Sequence, residues 1–137
     1  MIGILLITHG SFGEALVQNA CHVLNKRPVQ LNQLGVSAQD DPLDLLPLGK
    51  KMVQLVDNGK GVLILTDIFG ASPANLAMKL LERGRIEGLA GVNLPMLLKL
   101  SDAKEGMALN EFACFIKDYG KKNISLASEI LSKKAIG

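Results

Sequence analysis

Apolar residues along this chain follow two patterns, and the two patterns alternate. Runs that are apolar almost throughout occupy residues 2–8, 61–66 and 86–92, and short runs of this kind are typical of strands buried on both faces of a parallel sheet. Between them, apolar residues recur every three or four positions, which is the spacing of a helix with one buried face. The alternation therefore predicts an α/β fold.

The order of the predicted elements favours a single three-layer αβα domain. A chain of 137 residues usually forms one domain, so residues 1–137 are taken together. Strand-helix alternation predicts a mainly parallel sheet with right-handed crossovers. The predicted strands are residues 2–8, 29–36, 61–66 and 86–92, and the predicted helices are residues 12–25, 42–58, 73–83, 96–101 and 107–119.

Two segments do not fit one pattern. Pro47 would break a helix begun at Pro42 but suits the first turn of a helix capped by Asp44, so we expect an irregular helix start there. Residues 123–127 could form a last short strand or join a C-terminal helix, and periodicity does not decide between them.

Composition narrows the class of protein. The chain is 48% hydrophobic and 20% charged, which is typical of a folded domain. Its net charge of +2, with no Trp and one Tyr, gives no reason to expect nucleic acid as a partner. The first apolar run lacks the basic flank of a signal peptide, and no run reaches the ~20 residues of a membrane span. Cys21 and Cys114 lack a C-x-x-C neighbour, so we expect reduced thiols, no metal site and a cytoplasmic location.

His9 is the residue with the most informative position. It ends the first predicted strand, and Ser11 and Glu14 after it have the S-x-x-E spacing of a capping box, with Ser11 as the N-cap. His9 thus lies where a central strand ends and a helix begins, and ligands of open α/β sheets collect in that crevice.

Asp67 ends a second buried strand. In the flavodoxin-like order 2-1-3-4, strands one and three are neighbours, so His9 and Asp67 would face each other. A carboxylate that accepts one ring N–H of a histidine leaves the other nitrogen free as a nucleophile. Ser72 and Pro73 match the N-cap and N1 positions of the next helix, whose free N–H groups suit a phosphoryl group. Together these residues predict phosphoryl transfer through phosphohistidine.

At these residues the chain resembles a known family. The segments ILLITHG, LTDIFGASPAN and GVNLPM, at residues 4–10, 65–75 and 91–96, are similar to the EIIA domain of the mannose-type bacterial phosphotransferase system. The similarity runs over almost the whole chain, and the second segment is long and specific. His22, the other histidine, lies inside the first predicted helix and is interpreted as a structural or surface residue.

The resemblance implies a function, partners and site residues. His9 would accept phosphate from HPr and pass it to an EIIB protein, in carbohydrate uptake or its regulation. Asp67 would orient the His9 ring, and the transfer would need no cofactor or metal. The protein would be a homodimer that exchanges residues 123–127 as an antiparallel edge strand, and would reach a membrane only through a transporter complex. The residues implied to bind the phosphoryl group are Thr66, Phe69, Gly70, Ala71 and Ser72.

Two departures from the family and several rivals remain open. No linker and EIIB domain follow the EIIA-like region, so a stand-alone EIIA is expected, and Phe69 stands where tryptophan is common. The nearest rival is the phosphocarrier subunit of a dihydroxyacetone kinase system. A tetrapyrrole metal chelatase would want more metal ligands near the crevice, and a receiver-like switch would want clustered acidic residues to hold magnesium. A non-catalytic binding module is the remaining alternative.

Overall fold

The centre of the fold is a four-stranded parallel sheet, seen in a computed structural model that describes residues 1–28 and 30–136. The strands are β1 (Gly3–His9), β2 (Leu31–Val36), β3 (Val62–Thr66) and β4 (Ile86–Ala90). Their spatial order is β2-β1-β3-β4 and every pairing is parallel, which confirms the predicted order 2-1-3-4. Val29 and Gly137, which begin one predicted strand and end the predicted domain, lie outside the described residues.

Helices cover both faces of this sheet. Alternate side chains of β1 point to opposite faces, so Ile4 and Leu6 join one apolar core while Leu5 and Ile7 join the other. The helices are α1 (Phe12–Leu24), α2 (Pro42–Val56), α3 (Ser72–Leu80), α4 (Leu94–Lys99), α5 (Leu109–Lys122) and α6 (Ala127–Ile136), with a 3₁₀ turn at Leu100–Asp102. The first core is closed by α1, α4 and α5, and the second by α2 and α3.

The irregular start expected for α2 is wrong. The helix is continuous from Pro42, and its N-cap is Asp41, whose carboxylate accepts a hydrogen bond of 2.9 Å from the Leu43 N–H. Pro47 lies inside the helix on an exposed face. A proline there removes one backbone hydrogen bond and costs roughly 3 kcal/mol. Burial of Val53 and Val56 against the sheet offsets that cost, at about 1.5–3 kcal/mol for each fully buried side chain of this type.

Several other helix boundaries differ from the predicted ones; α5, for example, is Leu109–Lys122 instead of residues 107–119. The third helix, α3, ends at Leu80 rather than Arg83, because the chain turns back there and Glu82 bridges to Ile86. The short helix α4 begins at Leu94 rather than residue 96, because the Asn93 side chain caps it by accepting from the Met96 N–H at 3.1 Å.

The C-terminal segment does not join the sheet of its own chain. Residues 124–126 are in neither helix nor strand, and α6 follows them from Ala127. Every residue from 121 to 134 is exposed, including Ile124 and Leu126. An antiparallel edge strand exchanged between two subunits stays a prediction, since it would involve a second copy of the chain.

Candidate active site

His9 and Asp67 meet where β1 and β3 end side by side. Asp67 Oδ2 accepts a hydrogen bond of 2.9 Å from the His9 main-chain N–H, and the same oxygen lies 2.8 Å from His9 Nδ1. Because an ionised carboxylate only accepts, Nδ1 carries a proton and Nε2 of the neutral ring keeps its lone pair. The His9 side chain is 48% exposed and that of Asp67 only 10%. The ring is therefore open to a reaction partner while the carboxylate that holds it is shielded.

The Asp67 carboxylate is kept ionised by its hydrogen bonds. Burial by itself would raise its pKa, but hydrogen bonds from the His9 N–H and the His9 ring outweigh burial. A further bond of 2.9 Å reaches Oδ1 from the Ile68 N–H. The net effect lowers the pKa of Asp67 below its ordinary value of 3.8, so the group is a charged acceptor at neutral pH.

The loop after Asp67 leads directly into α3. Ile68, Phe69 and Gly70 are exposed, and Gly70 has a φ of 88°, a conformation that glycine adopts without strain. The N-cap is Ala71, not Ser72 as predicted, so Ser72 is the first helical residue and Pro73 the second. No side-chain cap bonds the first N–H groups of α3. These amides are free to bind an anion, and the helix dipole favours negative charge there.

The five residues implied to bind phosphate differ in accessibility. Thr66 is only 3% exposed and faces a groove shared with Phe69 and Met78. Ser72 and Ala71 are half-buried at the start of α3, and Phe69 and Gly70 are exposed. Direct contact with a phosphoryl group is therefore easiest at residues 69–72.

Sequence reasoning missed the residue that caps α1. Ser11 lies at the N-cap position as predicted, but its side chain makes no capping bond. The buried Thr8 hydroxyl accepts the Gly13 N–H instead, at 2.8 Å. The hydrogen bonds expected of a Ser11–Glu14 capping box are absent among the described residues. A threonine at the last buried position of a strand was the available signal, but its spacing to Gly13 matches no common capping motif.

Elsewhere in the part of the chain that the structure describes, the titratable side chains form no second histidine–carboxylate pair. His22 is exposed in the last turn of α1, roughly 15 Å along the helix from its start. In the described residues, no three or more histidine, cysteine or carboxylate side chains gather in a way that could hold a metal ion. Among residues 1–28 and 30–136 no helix has the length and apolar character needed to cross a membrane.

Known proteins are similar to this chain in both sequence and fold. The family model EIIA-man, described as a phosphotransferase system (PTS) fructose IIA component, matches residues 3–117. The PTS fructose-specific EIIA component of Bacillus subtilis is 29% identical over 137 residues, covering 97% of this chain and 91% of that protein. The PTS mannose-specific EIIAB component of Escherichia coli K12 is 26% identical and covers 90% of this chain, which spans 38% of that protein's length.

Solved structures show the same architecture. The EIIA component from Streptococcus agalactiae aligns with a TM-score of 0.81 at 20% identity, over 94% of this chain and 99% of that one. The mannose/sorbose-specific IIA subunit from Enterococcus faecalis aligns with a TM-score of 0.78 at 18% identity, over 91% and 93%. Since the family model spans most of the chain, the resemblance drawn from its motifs is confirmed. The chain belongs to the EIIA-man family, the mannose- and fructose-type IIA components of the phosphotransferase system.

Proposed function

We propose that this chain is a phosphocarrier whose His9 accepts phosphate from phospho-HPr and passes it to an EIIB protein. The observation that carries the proposal is the His9–Asp67 pair, in which Asp67 binds Nδ1 of a half-exposed ring and so leaves Nε2 with its lone pair. The Nε2 lone pair attacks the phosphorus of phospho-HPr; a P–N bond forms on His9 while the bond to the donor breaks, and its electron pair leaves with the donor. In the transfer to EIIB, a nucleophile of EIIB bonds to the phosphorus, the P–N bond to His9 breaks, and its electron pair returns to Nε2.

The surrounding residues divide the work of this transfer. Asp67 stabilises the positive charge that the ring acquires when Nε2 is phosphorylated. The amides of residues 69–72 and the Ser72 hydroxyl hold the phosphoryl oxygens, and Thr66 lines a groove with Phe69 of this loop. The step needs neither a metal nor an organic cofactor, because the leaving group is already activated in the donor.

Intact mass spectrometry tests the phosphocarrier role. After incubation with phosphoenolpyruvate, Enzyme I and HPr, each subunit is expected to gain one acid-labile phosphoryl group, lost again on addition of a mannose-type EIIB. The expected modification is on Nε2, which the acid and base stability of the isolated phosphohistidine identifies. A chain whose mass does not change would exclude the role. Phosphate that moves to a dihydroxyacetone kinase subunit but not to EIIB would favour that rival system.

Relatives suggest the setting of this transfer. The curated proteins named above are described as fructose-specific and mannose-specific, and we propose a role in uptake of such carbohydrates or in its regulation. We also propose that residues 1–137 work as one phosphocarrier domain in the cytoplasm. Cys21 and Cys114 are free thiols, which fits a reducing compartment. Contact with a membrane would then be indirect, through a transporter complex.

A homodimer is the proposed assembly. The β4 strand is an edge of the sheet, and an unpaired edge is a template for another strand. Beside it, a groove of about 110 Å³ is lined by small and apolar residues that include Ala77, Gly88 and Ala90. The exposed Ile124 and Leu126 would fill such a groove on a second copy when residues 123–127 pair with its β4.

Sedimentation equilibrium tests this assembly. The wild-type chain is expected to sediment as a dimer. In the double variant Ile124→Asp, Leu126→Asp, the dimer dissociation constant is expected to rise by at least about tenfold, because two charges would enter an apolar groove. Lys121→Asp, an exposed change just before the segment, is the matched control and should remain dimeric. A wild-type chain that stays monomeric at all concentrations would rule out the exchange.

A further inference from the structure

The turn that carries His9 is held from below by a buried hydroxyl. Thr8 is fully buried, and its Oγ1 accepts a hydrogen bond of 2.8 Å from the Gly13 N–H. This bond links the second residue of α1 to the next-to-last residue of β1. A side chain at Gly13 would place its Cβ 2.6 Å from Thr8 Oγ1, closer than non-bonded atoms approach. Thr8 and Gly13 therefore form one unit, in which the absence of a Cβ lets the hydroxyl reach the amide.

The same turn is held from the side by β2. The Gly10 N–H donates to the Val36 carbonyl at 2.9 Å. Gly35 lies so close to the Gly10 carbonyl that a Cβ there would overlap it. Gly10 itself has a φ of 49°. The backbone on both sides of His9 is thus tied to a neighbouring element, by Thr8 to α1 and by Gly10 to β2.

His9 depends on this placement because one oxygen serves two of its groups. Asp67 Oδ2 receives both the main-chain N–H and Nδ1 of His9, at 2.9 and 2.8 Å. A shift of the His9 backbone by a fraction of an ångström would lengthen one of these bonds, and hydrogen bonds weaken steeply with distance and angle. The tautomer that leaves Nε2 free therefore depends on where the main chain of His9 lies.

We propose that Thr8 is a positioning residue for His9: through its bond to Gly13, the hydroxyl holds the β1–α1 turn where a single Asp67 oxygen can bind both the backbone and the ring of His9. Thr8 contacts neither donor nor acceptor and acts through His9 alone. The expected effect on phosphate transfer rests on the proposed phosphocarrier function, whereas the effect on the ring tautomer does not.

The test compares Thr8→Val, which keeps the shape but removes the acceptor, with Thr8→Ser, which keeps it. A two-bond ¹H–¹⁵N spectrum of the His9 ring reports which nitrogen carries the proton. The wild type and Thr8→Ser are expected to show protonated Nδ1, and Thr8→Val a mixture with protonated Nε2. Single-turnover phosphorylation is expected to slow by about 10- to 100-fold in Thr8→Val, from misplacement of the nucleophile, and to recover in Thr8→Ser.

Two further variants separate positioning from loss of stability. Gly13→Ala is expected to repeat the mixed tautomer, because its Cβ pushes the Thr8 hydroxyl aside, although alanine is the better helix former. Val56→Ala truncates a buried side chain at the opposite end of the sheet, against Gly3. It should lower the melting temperature and leave the His9 tautomer unchanged.

Failure of the positioning role of Thr8 and failure of the phosphocarrier function give different results in these experiments. A single Nδ1-protonated tautomer in folded Thr8→Val would overturn the positioning role whether or not His9 is phosphorylated. A mixed tautomer in Thr8→Val and Gly13→Ala, in a protein that accepts no phosphate, would retain Thr8 as the positioning residue and reject the phosphocarrier function. Equal tautomer disturbance in Val56→Ala would also overturn the proposal, since general loosening would then explain it.

Discussion

His9→Ala is expected to accept no phosphate, whereas His22→Ala is expected to accept one phosphoryl group per subunit at the wild-type rate. The two variants are a matched pair because they remove the two histidines of the chain. His9 lies at the end of β1 against Asp67, while His22 is exposed in the last turn of α1 and has no partner of this kind among the described residues. Alanine at position 9 removes the nucleophile, and no neighbouring group can replace its lone pair.

Intact mass after incubation with phosphoenolpyruvate, Enzyme I and HPr measures both variants. Circular dichroism should show the same fold in each, because the side chains of His9 and His22 are exposed and contribute little to the core. Full phosphorylation of His9→Ala would move the modification elsewhere and reject the assigned site. Loss of phosphorylation in His22→Ala alone would point to the first helix instead.

Asp67→Asn is expected to slow phosphorylation of His9 by about 10²- to 10⁴-fold, where the upper value is the loss caused when the carboxylate that orients the histidine of a catalytic triad becomes an amide. The amide can donate to the ring as well as accept, so it no longer selects the tautomer with a free Nε2. It also carries no charge to stabilise the phosphorylated ring. Rapid-quench measurement of a single turnover with phospho-HPr gives the rate.

Asp57→Asn is the matched control for the loss of one carboxylate. The hydrogen bond from the Gly59 N–H lowers the pKa of Asp57, while burial raises it and the Arg85 guanidinium lowers it further. The net effect on Asp57 is a pKa below the ordinary value. Its carboxylate binds Arg85 at 3.1 Å, where α2 leads toward the start of β3, at the end of the sheet opposite His9. Its removal should leave the transfer rate unchanged. Equal slowing in both variants would mean that net charge, rather than the orientation of His9, controls transfer.

The lowered pKa of Asp67 also predicts how stability depends on pH. A carboxyl whose pKa is lower in the folded than in the unfolded chain stabilises the fold when ionised, and this contribution is lost as pH falls through the folded pKa. Wild type is therefore expected to exceed Asp67→Asn in free energy of unfolding by on the order of 1 kcal/mol near neutral pH. The difference should shrink below about pH 4. Urea unfolding across this range measures it; a difference that persists unchanged well below pH 4 would contradict the lowered pKa.

The local sequence was sufficient to predict the order of strands and helices along the chain and to select His9 and Asp67 as the central pair of the candidate site. Burial on both faces makes a strand apolar throughout, so β1 and β3 could be recognised from short windows. Since the carboxyl ends of parallel strands meet at one edge, the residues following two adjacent strands must approach each other. Together with the flavodoxin-like order 2-1-3-4, that rule predicted the meeting of His9 and Asp67, which the structure shows at 2.8 Å.

Spacing failed where two groups compete for one position. The Ser11 hydroxyl and the Thr8 hydroxyl are both near the start of α1, and the S-x-x-E pattern favours Ser11. The choice depends on the close approach of Thr8 to a helix residue without a Cβ, Gly13. The prediction of an irregular helix start at Pro47 was wrong for a related reason. The packing of α2 on the sheet outweighs the loss of one backbone hydrogen bond at the proline, which sequence rules treat as enough to break a helix.

The sequence by itself therefore determined the α/β class and the family, because these follow from local burial patterns and short motifs, and it placed His9 and Asp67 at the ends of two strands. The strand order was expected from flavodoxin-like folds and is confirmed by the structure. Only the tertiary structure decided which His9 nitrogen is free, since that depends on one carboxylate oxygen reaching both the backbone and the ring. It also decided which hydroxyl caps α1 and that Pro47 stays within a helix. These outcomes depend on distances between segments far apart in the chain, which a one-dimensional pattern does not contain.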